Sequence, residues 1–161
     1  MFIMENNHSD YLGMAKDIIK DNMYMVVATS DKDGKPWAAP VFYAYDEVYN
    51  FYFLSAVDSR HAENIIENPH VSIVIFNSKQ ILGVSEGIQM EGMAKEVGER
   101  GIDEVISLYS DRLFSNSRIP STEGYIPKNY LKPSEFRFFK VEIETAYVTG
   151  PDRRVKVDLR E

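Results

Sequence analysis

The run Phe53-Leu54-Ser55-Ala56-Val57-Asp58-Ser59-Arg60-His61-Ala62-Glu63-Asn64-Ile65 carries the most suggestive chemistry in this chain. It reads as a strand that ends in a polar turn and opens a helix, with an arginine and a histidine in the first helical turn. Backbone N–H groups there lack internal partners and point at whatever precedes the helix. An anion in that position is stabilised by those donors and by the helix dipole. Ser55 and Ser59 add hydroxyls, Arg60 a planar fork of N–H groups that matches phosphate oxygens, and His61 a ring N–H. The combination predicts a held phosphate. The commoner use of such a sequence is plain capping by Asp58 or Ser59 with Arg60 in solvent, and the neighbouring elements decide between the two.

Other chemistries lack their residues. The chain has no cysteine, which removes disulfides, thiolate metal sites and a cysteine nucleophile. His8, His61 and His70 have neither metal-ligand spacing nor carboxylate companions, so no metal site is expected. There is no G-x-S-x-G elbow, P-loop or dinucleotide glycine fingerprint. Glu142 and Glu144 share a predicted strand face and read as solvated. A formal charge of −7, from 18 basic and 25 acidic residues, argues against nucleic-acid or membrane partners, which need a broad basic face. Any phosphate site must therefore be locally focused. The first seven residues do not form a signal peptide, and no run approaches ~20 apolar residues. One cytoplasmic domain spanning residues 1–161 is the expectation.

An amphipathic helix opens the order of elements. Ser9 can cap it, and Tyr11, Leu12, Ala15, Ile18 and Ile19 share a face. Residues 23–30 are rich in β-formers, Asp33-Gly34 supplies a tight turn, and residues 36–45 return as a second strand. A turn at Asp46-Glu47 leads into a third strand, 49–55, ahead of the phosphate turn. In the short helix that follows, Ala62, Ile65 and Ile66 form the buried stripe, and Asn68-Pro69 ends it. Residues 71–76 predict a strand covered on both faces. After a loop at 77–86 comes a strand over 87–97, with Gly92 as a bulge. A helix spans 99–114, and 115–133 is irregular. In the next strand Phe139, Val141, Ile143, Thr145 and Tyr147 alternate with polar or smaller neighbours, predicting one buried face. Gly150-Pro151-Asp152 turns the chain into a last strand at 155–159. Six or seven antiparallel strands with helices at the corners predict a mainly β (α+β) small barrel.

The order and spacing of three segments, Ala28-Thr29-Ser30-Asp31-Lys32-Asp33-Gly34-Lys35-Pro36, Ser59-Arg60-His61-Ala62-Glu63-Asn64-Ile65 and Asn68-Pro69-His70-Val71-Ser72, resemble the FMN-binding split barrels related to pyridoxamine 5′-phosphate oxidase. The resemblance covers residues 23–97, with a looser echo in 136–159. It implies an antiparallel split barrel and a homodimer with FMN between the subunits. Ala39, Pro40, Val41 and Phe42 would then flank the flavin through backbone groups, Ser55 would lie near the phosphate, and Arg60 and His61 would match the family's Arg-Lys pair. Gln89 would offer a polar contact. His61 stands where the family has lysine, so the positive charge there depends on pH. The tryptophan and Arg-x-His pattern that true oxidases carry near their C-terminus is absent, which argues against pyridoxamine phosphate as substrate. Trp37, just past a hairpin turn, fits a strand residue over the barrel's end better than a flavin stacker. Aromatic residues between Phe42 and Phe53 are expected to build core and dimer interface.

The implied activity is a flavoprotein oxidoreductase that works by hydride or electron transfer on a small molecule, with no residue marked as acid or base. Two other classes stay open: a barrel that holds flavin or heme without turnover, and a dimeric scaffold that binds nothing.

Overall fold

The computed structural model describes residues 8–81, 83–116, 127–150 and 153–161. The N-terminal seven residues, most of the irregular 115–133 stretch and the Pro151-Asp152 turn lie outside them.

Helix α1, His8–Asp21, buries Tyr11, Ala15 and Ile19 as its spacing predicts. Strands β1 (Tyr24–Ser30) and β2 (Pro36–Phe42) form a hairpin paired from Tyr24↔Phe42 to Ser30↔Pro36. Its turn is built by Asp31, whose carboxylate accepts the N–H groups of Asp33 and Lys35, and by Gly34 at φ +82°.

The expected second strand, 36–45, is interrupted. Tyr43 leaves the ladder, buries its ring and donates its hydroxyl to the Ile19 carbonyl at the end of α1 (2.6 Å). The chain resumes as β3 (Ala44–Tyr45), which pairs with β4 (Phe51–Ala56). Between them Asp46 accepts the N–H groups of Val48 and Asn50, and this turn delays β4 by two residues. Helix α2 (Arg60–Glu67), β5 (His70–Phe76), β6 (Gly87–Glu96), α3 (Ile102–Asn116), a 3-10 turn (Pro127–Tyr130), β7 (Phe136–Thr149) and β8 (Arg154–Val157) complete the order.

The sheet runs β2-β1-β5-β6-β7-β4-β3, antiparallel throughout, with β8 on β7. Its first and last members, β2 and β3, are one run of chain broken at Tyr43, so the sheet curls back on itself as a split barrel with peripheral helices. The inner core contains Phe51, Phe53, Ile73, Ile88, Met90 and Phe139, among others. The Phe53 and Phe139 rings stack at 5.3 Å. A second core lies outside the sheet, where α3 covers Tyr52 and Phe138 with Val105, Ile106 and Tyr109. The aromatic-rich segment therefore serves two cores, split by strand parity.

Three expectations need correction. Ile66 is 67% exposed, and Asn64 occupies the buried stripe instead, donating its amide to Thr29 Oγ1 (2.9 Å). Strand β5 buries only one face within this chain: Val71, Ile73 and Ile75 point inward while Phe76 stays 48% exposed. In β7 the alternation breaks. Gly92 pairs with Ile143 but Glu91 with Thr145, so Glu144 is an extra residue. Beyond it the buried phase passes to Ala146 and Val148, and Thr145 and Tyr147 face outward.

Asn68 repeats the role of Asn64 one turn later, donating to Ser30 Oγ (2.9 Å). Two asparagines four residues apart thus fasten α2 to the end of β1. Asn64→Ala should lower stability by about 1–2 kcal/mol, the cost of a lost buried hydrogen bond, read as a lower urea midpoint at unchanged m-value. Among the described residues no helix is long and apolar enough to cross a membrane.

Candidate functional site

The anchored α2 brings its first turn to the end of β4 and the start of β2. Ser59 occupies the N-cap position, yet its hydroxyl caps no backbone N–H. Ser59 Oγ instead donates to the Ala56 carbonyl (2.8 Å) and lies 2.8 Å from Ser55 Oγ. Ser55 is 7% exposed and its Oγ sits 2.7 Å from His61 Nε2. The first intrahelical bond runs from Glu63 N–H to the Ser59 carbonyl (3.0 Å). The preceding N–H groups of the turn are those a helix leaves open. Capping by a side chain, the plainer expectation for Ser59, is not what the hydroxyl does.

Arg60 turns the other way. Its guanidinium lies over the Trp37 ring, 4.6 Å from the centroid, and among the described residues it makes no hydrogen bond or ion pair. A contact with the ring consumes no hydrogen-bonding capacity, so N–H groups of the guanidinium are left to receive an oxyanion. Trp37, at the start of β2, is therefore the seat of Arg60. Sequence spacing did not reveal that role, because twenty-three positions separate the two residues and only the docking of α2 on the hairpin unites them.

His61 is half-buried against Phe53, ring centroids 6.1 Å apart. Burial holds its imidazole below the usual histidine pKa, favouring the neutral ring in the free protein.

The remaining predicted residues divide. On β2, Ala39 and Val41 point into the inner core, while Pro40 and Phe42 point outward. Among the described residues strand β2 pairs only with β1 and ends the sheet order, so the backbone groups along its other edge are unclaimed by a ladder there. Gln89 is exposed on β6, three strands from β2. It belongs to an outward row, Pro40, Val26, Val74, Gln89, Tyr147 and Lys156, paired strand to strand. At ~4.8 Å per strand it sits roughly 14 Å from Pro40, and this chain alone does not bring it to Arg60. A concavity of 730 Å³ lined by Tyr49, Glu142 and Lys156 contains none of these side chains. Among the described residues no group of three or more His, Asp or Glu is arranged to hold a metal ion.

Residues 13–150 match the family described as pyridoxamine 5′-phosphate oxidase. A pyridoxine/pyridoxamine 5′-phosphate oxidase of Ehrlichia ruminantium (strain Welgevonden) is 34% identical over 93 residues, which is 58% of this chain and 46% of that protein. The match thus spans about half of the relative's length. A heme binding protein from Mycobacterium smegmatis superposes with a TM-score of 0.72 at 16% identity, over 97% of this chain and 60% of that one. HutZ, the heme storage protein from Vibrio cholerae, superposes with a TM-score of 0.66 at 20% identity, over 83% and 90% of the two chains. These structural likenesses speak to the fold.

Proposed function

The chain belongs to the pyridoxamine 5′-phosphate oxidase family, and on that premise we propose that it binds FMN and serves as a flavin-dependent oxidoreductase for a small molecule. One observation carries the proposal: the open N–H groups of Arg60, held on Trp37 beside the uncapped first turn of α2. These groups fit a phosphate monoester, with Ser55 and His61 at the same turn. The unclaimed edge of β2 from Ala39 to Phe42 fits a flat heterocycle that needs backbone donors and acceptors. Bound flavin supplies hydride or electron exchange at its ring. The protein's own part is to anchor the phosphate, line the ring with β2 and exclude water.

A second copy of the chain is the proposed partner. Strands β1 and β5 present Tyr24, Val26, Val74 and Phe76 on an outer face that α3 does not cover. An apolar sheet face of this kind supports a homodimer, and Gln89 on the same face is then available to the cofactor of the partner. Heme binding without turnover is the second reading, favoured by the two heme-associated structural neighbours.

The visible spectrum of freshly purified protein separates the readings. Two oxidised-flavin bands, with FMN released by acid, are expected; a Soret band would favour heme, and a spectrum that added FMN leaves unchanged would remove the flavin proposal. Trp37 is the chain's only tryptophan, so FMN titration should quench the protein's indole fluorescence. Quenching that riboflavin reproduces at equal affinity would count against a phosphate-anchored site.

A further inference from the structure

The hydrogen bonds around Ser55 fix where the proton of His61 resides. Three short contacts link four groups: Ser59 Oγ to the Ala56 carbonyl (2.8 Å), Ser55 Oγ to Ser59 Oγ (2.8 Å) and Ser55 Oγ to His61 Nε2 (2.7 Å). Each needs one proton between its heavy atoms. The two serine hydroxyls supply two, and a carbonyl oxygen supplies none. The third proton must be the Nε2–H of His61. The chain of donation then runs one way, from His61 to Ser55, to Ser59, to the Ala56 carbonyl. Any arrangement with a bare Nε2 leaves two lone pairs facing each other at 2.7 or 2.8 Å.

This assignment removes His61 as a general base toward Ser55, since its near nitrogen already carries a proton. It also leaves Nδ1 as the ring's only free atom, without a hydrogen-bond partner among the described residues. In the neutral ring Nδ1 is a lone pair and repels an oxyanion. In the imidazolium it is a charged donor. Resting on the FMN proposal above, we infer that His61 engages the phosphate only as an imidazolium, so that the site captures the phosphate dianion together with one proton from solvent. Where the family's lysine brings a permanent charge, this chain recruits one on binding.

The charged groups on the surrounding elements do not pre-empt that proton. Asp58, Glu63 and Glu135 are exposed, Arg60 sits on Trp37, and Arg137, paired with Ser55 across β4 and β7, is neutralised by Glu96 at 2.9 Å. No carboxylate contributes to the downward shift of His61, which arises from burial alone. The free protein therefore resists protonation. Its stability falls as pH drops from the ordinary imidazole pKa through the lowered one, because the unfolded chain binds the proton more readily.

Titration calorimetry with FMN at about pH 8, repeated in buffers of different protonation enthalpy, measures the proton directly. Uptake approaching one proton per FMN is expected, with affinity weakening toward tenfold per pH unit between the pKa of the free ring and that of the complex. His61→Lys should bind FMN with no uptake and a flat pH profile. Binding by the wild-type protein without uptake, or uptake that persists in His61→Lys, overturns the inference while leaving the flavin site in place. Absence of FMN binding in both overturns the flavin site, and the inference with it. Imidazole nitrogen resonances of the free wild-type protein give a test without any variant: Nε2 protonated and Nδ1 bare is expected, and the opposite tautomer refutes the assignment.

Discussion

Arg60→Ala is expected to weaken FMN binding by about 1.5–3 kcal/mol, roughly ten- to 150-fold, without unfolding the protein. That is the range for a hydrogen bond to a charged group. The fold should survive because Arg60 makes no hydrogen bond or ion pair among the described residues, and its stacking on a half-exposed Trp37 is a surface contact. Arg60→Lys separates charge from shape. It keeps the positive charge but loses the planar fork that Trp37 holds, so its affinity should fall between the wild type and the alanine variant. Titration calorimetry reads all three. Unchanged affinity in Arg60→Ala with native circular dichroism would remove Arg60 from the site, and with it the observation on which the flavin proposal stands.

Legibility in the sequence followed the range of the interactions involved. The β1–β2 hairpin was readable because Asp33-Gly34 and the flanking β-formers are local signals, and α2 because its polar turn and Asn68-Pro69 bound it on both sides. Ser55, Ser59 and His61 could be grouped because a strand end and a helix start lie within seven residues, and the structure joins them by hydrogen bonds. What failed was non-local. The break at Tyr43 depends on a carbonyl of α1 twenty-four residues away, and nothing in an unbroken β-like run announces it. Ile66 looked buried because it is apolar, but the stripe belongs to Asn64, whose partner Thr29 is on another element. A polar residue can occupy a core position only when its partner is known, and sequence spacing does not supply partners. The i, i+4 pair Asn64 and Asn68 was the available hint, since two asparagines on one face of a short helix suggest polar docking.

The bulge shows how one glycine sets the phase of a long strand, and it makes the larger stability prediction. A Cβ built on Gly92 would lie 2.2 Å from the Glu142 carbonyl oxygen, 3.0 Å from its carbonyl carbon and 3.2 Å from Ile143 Cα. All three are backbone atoms of β7, which is paired with β6 on one side and with β4 and β8 on the other. They cannot rotate away as a side-chain tip would. Gly92→Ala is therefore expected to cost about 3 kcal/mol or more, a large share of the ~5–15 kcal/mol that holds a domain of this size together. Gly98→Ala is the control, because its added methyl meets nothing within 4 Å, and it should leave the urea midpoint nearly unchanged. The consequence reaches the site. Relieving the clash requires β7 to move or re-register, and a one-residue slip would reverse which side chains of Phe136–Thr149 face inward. Phe139 would then leave Phe53, and Arg137 would leave the position opposite Ser55. Gly92→Ala protein that still folds should thus show weakened FMN binding although Gly92 touches no predicted cofactor residue. Native affinity in a destabilised but folded variant would show instead that the strand yields locally at Glu144, with the β4 end of the barrel insulated from it.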